Sequence, residues 1–586
     1  MSARILLFAV LCAWLCPSCA LAVCKLSKIA ELPVVMWDSR PVVTAKINGT
    51  EVKLLADSGA FYSIISPSSA MELKLPLHAG PEHMLVRGIG GEFAIQVATV
   101  KAFTLAGTVV RNVDFIVGGS ELGSARAGLL GQNVLRIGDV DYDLANGVIR
   151  LMHADDCKSA VLAYWTKDGQ PYSVIDIGSS STVAPETTGT VFINGSKVRA
   201  IFDTGAANSV LSLKAAERAG ITITSPGVVE EGYIGGLGDS PIKAYIAPFS
   251  TFKIGDEEIR NPRLRIGEIG LHEEDMLIGA DFFLSHRVYV ATSQKKLYFT
   301  YNGGPVFNPP KSIPSRLSVP SGGEDDSLDA GGYERRGAAF AARHDYERAL
   351  ADLTRACELE PGNAEYFYLR GAVNSESKHA EAAKLDFDQS LALNPKLVSA
   401  LLARADLLIE EKKNSDAAAD LDVAAKILPM EADTRFFIGG EYERADEMAS
   451  AVGQYDLWIA LHPYDRKYPY ALNDRCRARA LRGDKLNDAW VDCNAAFHLS
   501  ADDSPFRASV LANRGLVRFR QGDYRRSLAE YDASIRMDGK SADAWYGRAM
   551  AKLRMGLTKD YEADLAAATQ LSADIADQFK RRGIEP

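Results

Sequence analysis

From residue 30 to residue 302, apolar and polar positions alternate in short runs rich in Val, Ile, Thr, Phe and Tyr, broken by Gly, Asn and Asp. Alternation with a period of two places one face of each run in a core, so this stretch predicts strands throughout. Past residue 328 the period changes. Ala, Leu, Arg and Glu dominate there, and apolar residues recur at helical spacing. Between the two, residues 303–328 hold Gly303-Gly304, Pro309-Pro310, Pro314, Pro320 and Gly322-Gly323, then acidic Glu324-Asp325-Asp326. Such a segment cannot bury a core of its own and is expected to be an extended or mobile linker. The chain is therefore expected to be multidomain, all-β first and all-α afterwards.

The β-rich stretch nearly repeats itself. Ile47-Asn48-Gly49-Thr50 leads, nine residues after Asn48, to Asp57-Ser58-Gly59-Ala60. Ile193-Asn194-Gly195-Ser196 leads at the same distance to Asp203-Thr204-Gly205-Ala206. Each Asn-Gly sits between alternating runs, which is a strong hairpin signal. Both also match the Asn-x-Ser/Thr sequon, but the hairpin accounts for them adequately. Gly-rich segments follow in order, Gly88-Ile89-Gly90-Gly91 and Gly235-Gly236-Leu237-Gly238, then hairpins near Gly107 and Gly255. Leu129-Leu130-Gly131 and Leu277-Ile278-Gly279 close each series. Five features in one order at nearly equal spacing mark two related lobes, 30–157 and 175–302.

One Asp in a turn is ordinary, whereas two in duplicated settings point to a paired-carboxylate site. Two carboxylates a few ångströms apart cannot both ionise cheaply, so they share one proton. The ionised member takes a proton from water, and the protonated member donates to a peptide carbonyl. The Asp-Ser/Thr-Gly-Ala turns, with Gly128–Leu135 and Leu277–Phe282, resemble the aspartic proteases of the retroviral type. The resemblance covers about 30–302 and implies an all-β, two-lobed acid-protease-like fold with Asp57 and Asp203 catalytic. It further implies that the hydroxyls of Ser58 and Thr204 bond across to the opposite lobe. Gly59 and Gly205 would admit backbone amides to the carboxylates, with Leu130-Gly131 and Ile278-Gly279 supporting the catalytic loops. Gly88, Ile89, Gly90, Gly91, Gly235 and Gly236, with Tyr233 beside them, read as flaps closing over an extended peptide. Ordinary surface turns are the plainer reading of the same glycines. Retroviral enzymes supply one Asp per subunit. Both copies here lie in one chain, so an internal pseudo-dimer is the economical arrangement and lobes paired between two chains the alternative. Ala60 and Ala206 stand where pepsin-like enzymes often carry a hydroxyl. Its loss removes a hydrogen bond to the anion, so activity is expected at mildly acidic to near-neutral pH.

In the helical half, Pro361, Pro395, Pro429 and Pro463 are spaced 34 residues apart. Gly337 and Gly371 keep the same phase, as do Ala349, Ala383, Ala417 and Ala451, and also Leu353, Phe387, Leu421 and Tyr455. This pattern resembles the tetratricopeptide repeat, and about seven units fit within 329–580, the later ones phased by Ala489, Ser527 and Tyr561. Small residues let paired helices approach, large ones fill the gap, and Pro ends the second helix. The grooves of such repeats bind peptides or protein segments.

Composition narrows the function further. Apolar content of 47% and charged content of 24% are those of ordinary globular domains. A net charge of −10 offers no basic face for nucleic acid. Arg4, the apolar run Ile5 to Leu15 and Ala20-Leu21-Ala22 form a secretory signal over 1–22, with cleavage after Ala22 and a periplasmic or secreted product. An uncleaved anchor is the alternative, but the run is short for a bilayer and no longer one follows, so no stable membrane insertion is expected after cleavage. Of the cysteines left, Cys24 and Cys157 bracket the first lobe, and Cys476 and Cys493 fall on facing helices of one repeat. Bridges and free thiols fit both pairs equally, and with Cys357 the number is odd. No Cys or His spacing resembles a metal site, and no cofactor is expected. The function expected is an exported aspartic endopeptidase whose repeats recruit a substrate or partner protein. The alternative is a pair of inactive protease-like lobes in a peptide- or protein-binding scaffold.

Overall fold

The computed structural model describes residues 24–80, 85–88, 91–118, 127–167, 170–178, 187–234, 242–271, 273–307, 328–430, 432–463, 465, 467–500, 504–557 and 560–585. All-β then all-α is the architecture observed. The two Asn-Gly hairpins form as their sequence dictates. Arg40–Ile47 turns into Thr50–Ala56 with φ of 50° at Asn48 and 88° at Gly49. Thr188–Ile193 turns into Ser196–Phe202 with φ of 47° at Asn194 and 79° at Gly195. Asn-Gly tolerates two successive positive φ angles, which such two-residue turns require. The Asn194 carboxamide oxygen also accepts from the amides of Ser250 and Thr251 at 2.8 and 3.1 Å, so this side chain has a structural use.

Among the described residues a nine-stranded sheet forms the second lobe, and a thirteen-stranded sheet runs through the first lobe into the seam between them. At the seam, strand Asp139–Asp143 pairs antiparallel with His286–Ala291, placing Asp141 opposite Tyr289 and Tyr142 opposite Val288. Asp139, Asp141 and Asp143 are all buried. Burial without partners would be costly, so each charge is met. Arg287 from the second lobe holds both oxygens of Asp141, at 3.1 and 2.7 Å. Arg150 reaches Asp141 and Asp143 at 3.2 and 3.3 Å. Asp139 accepts from Thr292 and Ser293. A disulfide between Cys24 and Cys157 ties the start of strand Lys25–Trp37 to the end of its neighbour Val148–Asp155.

Fifteen helices follow among the described residues, seven antiparallel pairs and a last short one. Each in-phase proline stands two residues past a second helix, as Pro361 does after Tyr346–Leu359. The small-to-large pairing is equally direct. A Cβ on Gly337, Gly371 or Gly439 would lie 2.9, 2.7 or 2.5 Å from Leu353, Phe387 or Tyr455 of the facing helix. A second ladder, of charged pairs, accompanies the first. Arg336, Arg370, Arg404, Arg475 and Arg548 on first helices pair with Asp352, Asp386, Asp420, Asp492 and Asp564 on second helices, at 2.6–2.7 Å. Cys476 and Cys493 are bridged, and Cys357 is a buried free thiol.

The expectation of a linker from residue 303 fails at its start. Phe307 is buried and packs edge-on against Phe252, their centroids 4.9 Å apart, and Arg343 donates to the carbonyl of Gly303. Gly303 and Gly304 bend the chain so that one aromatic side chain returns to the lobe, which composition alone hides. The rest of the segment, 308–327, lies outside the described residues. The first repeat helix, Ala330–Ala342, is also part of the lobes' core, since Ala338 and Ala339 join the same apolar cluster. A Cβ on Gly147 would lie 2.3 Å from Cβ of Arg335, so the helix seats directly on the first lobe.

Glu334 sits at that junction, pushed up to about 7 by burial, with the nearby Glu365 adding to the rise and Arg335 and Lys53 opposing it. An acid raised in the folded state binds more protons folded than unfolded. Its contribution to stability is therefore intact below its ordinary value of 4.5 and declines as pH rises through about 7. Glu334→Gln should remove that decline, leaving a flatter melting temperature between pH 5 and pH 8 than the parent chain by calorimetry (about three pH units scanned).

Candidate active site

Each Asp turn is held between two strands of its own lobe. Strand Thr50–Ala56 lies parallel to Gly128–Leu130, and the amide of Asp57 donates to the carbonyl of Leu130 at 3.0 Å. Strand Ser196–Phe202 lies parallel to Met276–Ile278, and the amide of Asp203 donates to Ile278 at 2.8 Å. The apolar residues before each Asp, buried Leu54, Leu55 and Ala56 and buried Ala200, Ile201 and Phe202, carry the two turns into a dry seam.

There the turns lock together. The hydroxyl of Ser58 donates to the carbonyl of Phe202 at 2.8 Å and accepts from the amide of Thr204 at 2.9 Å. The hydroxyl of Thr204 donates to Ala56 at 2.7 Å and accepts from the amide of Ser58 at 3.0 Å. Four crossed bonds in a buried setting fix the two turns against each other. A Cβ on Gly59 would lie 2.4 Å from Cγ of Asp203, and one on Gly205 would lie 2.4 Å from Cγ of Asp57. Each carboxyl therefore rests on the glycine of the opposite turn. Both residues belong to one chain, so the internal pseudo-dimer is the arrangement found.

Burial raises both acids, Asp57 well above the usual carboxylate range, with the neighbouring Asp203 adding to its rise. The amides of Gly59 and Ala60 donate to Asp57 at 2.9 and 2.8 Å, and that of Gly205 donates to Asp203 at 2.8 Å, which favours the anion. Desolvation outweighs these bonds, so the pair keeps one proton to higher pH than isolated acids would. Gly205→Ala should abolish any hydrolysis, because the added methyl and the Asp57 carboxyl cannot occupy one space. The same variant read by peptide cleavage and circular dichroism should stay folded, since the clash is confined to the turn.

The apolar-apolar-Gly segments support the turns. A Cβ on Gly131 would lie 2.6 Å from the backbone of Tyr62, and one on Gly279 would lie 2.6 Å from that of Asn208. Sequence reasoning missed the side chains that hold these loops. Ser63 accepts from the amide of Gly131 at 3.1 Å and donates to Asn133 at 2.9 Å. In the second lobe Ser209 accepts from Gly279 at 3.0 Å and donates to Asp281 at 2.7 Å. Burial pushes Asp281 up to about 6 against the pull of the Ser209 donors. The signal was available: Ser63 and Ser209 follow their Asp at equal distance, and Asn133 and Asp281 likewise follow their Gly. Gln132 has no counterpart, because Ala280 takes its place. Its carboxamide donates to the carbonyl of Ser58 at 2.6 Å and so orients the peptide whose amide faces Asp57.

Both flap candidates fall between paired strands. Leu85–Gly88 pairs with Gly91–Ala94, Gly88 opposite Gly91. Val229–Ile234, which carries Tyr233, pairs with Ile242–Pro248. Ile89, Gly90, Gly235 and Gly236 lie outside the described residues. Each lobe also holds a small apolar cluster, Leu55, Ile64, Ile116 and Leu129 with Ile95 packed on it, and Ile201, Val210, Ile269 and Leu277 with Ile234. No group of three or more His, Cys, Asp or Glu among the described residues could hold a metal.

A duplicated two-lobed β-fold with crossed Asp-Ser/Thr-Gly turns defines the class. The profile of the aspartyl protease family matches residues 43–134 and again 187–282. The two lobes thus carry an aspartyl protease family domain in duplicate within one chain, and helices similar to tetratricopeptide repeats follow them. In the repeats it is similar to the photosystem I assembly protein Ycf3 of Acaryochloris marina, 34% identical over 113 residues, which are 19% of this chain and 68% of that protein. Among solved structures, a tetratricopeptide repeat protein from Parabacteroides merdae shares 16% identity, with 43% of this chain and 96% of that one covered at a TM-score of 0.35. YrrB, a repeat protein with an unusual peptide-binding site, shares 16% identity over 33% of this chain and 95% of its own, at a TM-score of 0.28.

Proposed function

We propose that the chain is an exported aspartic endopeptidase. The observation that carries this reading is the close carboxyl pair of Asp57 and Asp203 across four crossed turn bonds. One proton on the pair leaves one carboxylate to take a proton from water and one acid to donate to the scissile carbonyl. The tetrahedral intermediate then collapses as the amine leaves with a proton. An extended peptide would lie between the hairpins and the dyad, held by its backbone. The repeats would bind a segment of a substrate or partner protein. The two disulfides accord with an oxidising compartment, and the signal at 1–22, which lies outside the described residues, accords with export. Among the described residues no helix is long and apolar enough to cross a membrane.

The test is cleavage of a peptide library by the purified chain across pH. Because burial raises both acids, the acidic limb should lie above that of ordinary carboxylates and activity should extend toward neutrality. A profile confined below about pH 3 would refute this assignment of the dyad. Absence of cleavage at every pH by a folded chain would favour a binding scaffold instead.

A further inference from the structure

The last helix, Ile575–Arg581, does not simply extend the stack of pairs. Its residues and those after it bond to the turn that follows Thr434–Arg444 and to the ends of two later first helices, Pro505–Arg520 and Ala542–Arg554. Arg581 and Arg582 bond to Asp446, at 3.1 and 2.9 Å, although 135 and 136 residues separate them. Arg520 donates to the carbonyls of Arg582 and Gly583 while holding Ala480 and Leu481 at 3.0 and 2.7 Å. Arg554 donates to the carbonyl of Glu585 at 3.0 Å. Ile575, Phe579 and Ile584 are buried in the repeats' apolar cluster, with the ring of Phe579 4.7 Å from that of Tyr546.

Two features make this seat a recognition site rather than a plain end cap. Arg520 and Arg554 grip backbone carbonyls, so they accept any segment that follows the same path. Selectivity falls to the apolar seats of Ile575, Phe579 and Ile584 and to Asp446, whose charge matches arginine. A seven-residue helix also has little stability of its own and keeps its shape only while packed. A segment of that kind opens locally at lower free energy than the helices beneath it.

We propose that this face is a peptide-docking site held by the chain's own tail, and that a partner protein displaces the tail with a basic amphipathic segment of like pattern. That pattern is an aliphatic residue, an aromatic four positions on, an arginine three further and a second aliphatic two beyond that. The proposal gives a chemistry to the partner assigned above to the repeats, and its readouts do not involve hydrolysis, so either can fail alone.

Two measurements test it. The first is anisotropy of a labelled peptide of residues 572–586 with a chain ending at Leu571 and with the full chain. The shortened chain should bind it one to one, and the full chain roughly tenfold or more weakly, because its own tail competes. Phe579→Ala or Arg582→Glu in the peptide should each weaken binding by about tenfold or more. A folded shortened chain that ignores the peptide, or a full chain that binds it equally well, overturns the proposal. A full chain that runs as a dimer through exchanged tails assigns the seat to a second copy and overturns it too. The second measurement needs no truncation. In hydrogen exchange on the full chain, amides of 575–581 should exchange at least about tenfold faster than those of 542–554. Equal protection would make the tail a fixed part of the solenoid and overturn the proposal.

Discussion

Asp57→Asn and Asp203→Asn should each lower kcat by about a thousandfold or more, leave KM little changed, and leave the melting temperature equal or higher. The first part follows from the chemistry. Asn neither accepts a proton from water nor donates one as an acid, and either change leaves a lone carboxyl where a pair is needed. General acid and base assistance are each worth about 10²–10⁴, so losing their partnership gives a large effect. The second part follows from the sign of the pKa shifts. Both acids are raised by burial, so the folded chain binds more protons than the unfolded one above their ordinary value of 3.8. Stability contributed by the pair thus declines as pH rises through the raised values. Removing one acid removes part of that decline. Loss of activity with a retained or raised melting temperature separates a dyad from a structural pair, whose loss would destabilise. Steady-state kinetics and calorimetry on the same preparations check both parts.

Arg287→Ala should destabilise the chain by about 3 kcal/mol, and activity should fall with it as the lobes lose their register. Arg287 is a charged contribution of the second lobe to the seam, and its partner Asp141 is fully buried. Truncating one member of such a pair leaves a buried charge with fewer partners, which typically costs about 3–5 kcal/mol. The lower end applies because Arg150 still reaches Asp141 at 3.2 Å. Packing adds to the loss, since the guanidinium lies 4.6 and 5.2 Å from the ring centroids of Trp165 and Tyr164. Urea unfolding at pH 7 measures it, and a shift under about 1 kcal/mol would show that the lobes are held together by the strand pairing alone. The restored charge of Arg287→Lys should recover only part, because one ammonium cannot hold both oxygens of Asp141.

Much of this site was legible in the sequence because it depends on short-range rules used twice. Asn-Gly turns, apolar strands ending in Asp, and glycines where a carboxyl must rest are local features, and duplication exposed them. The 34-residue repeat was legible for the same reason, with Pro and Gly marking one position per unit. What stayed hidden depends on partners distant in the chain. Ser63 with Asn133, and Ser209 with Asp281, are polar pairs joined only once the loops cross. The Arg–Asp ladder of the repeats has a regular spacing too, but charged residues at helical surfaces carry no signal until the facing helix is known. The disulfides could be named as candidates yet not chosen, because bridging depends on how close the chain brings each pair. The return of Phe307 onto the second lobe is one aromatic residue in a segment whose composition reads as linker.

The decisive measurement is peptide-library hydrolysis by the wild-type chain over a dilution series, with an equimolar mixture of Asp57→Asn and Asp203→Asn chains beside it. The account predicts cleavage whose rate per chain is constant on dilution, and none in the mixture, because both acids act within one molecule. Recovery of cleavage in the mixture, or a folded wild-type chain inactive at every pH between about 3 and 8, would contradict it.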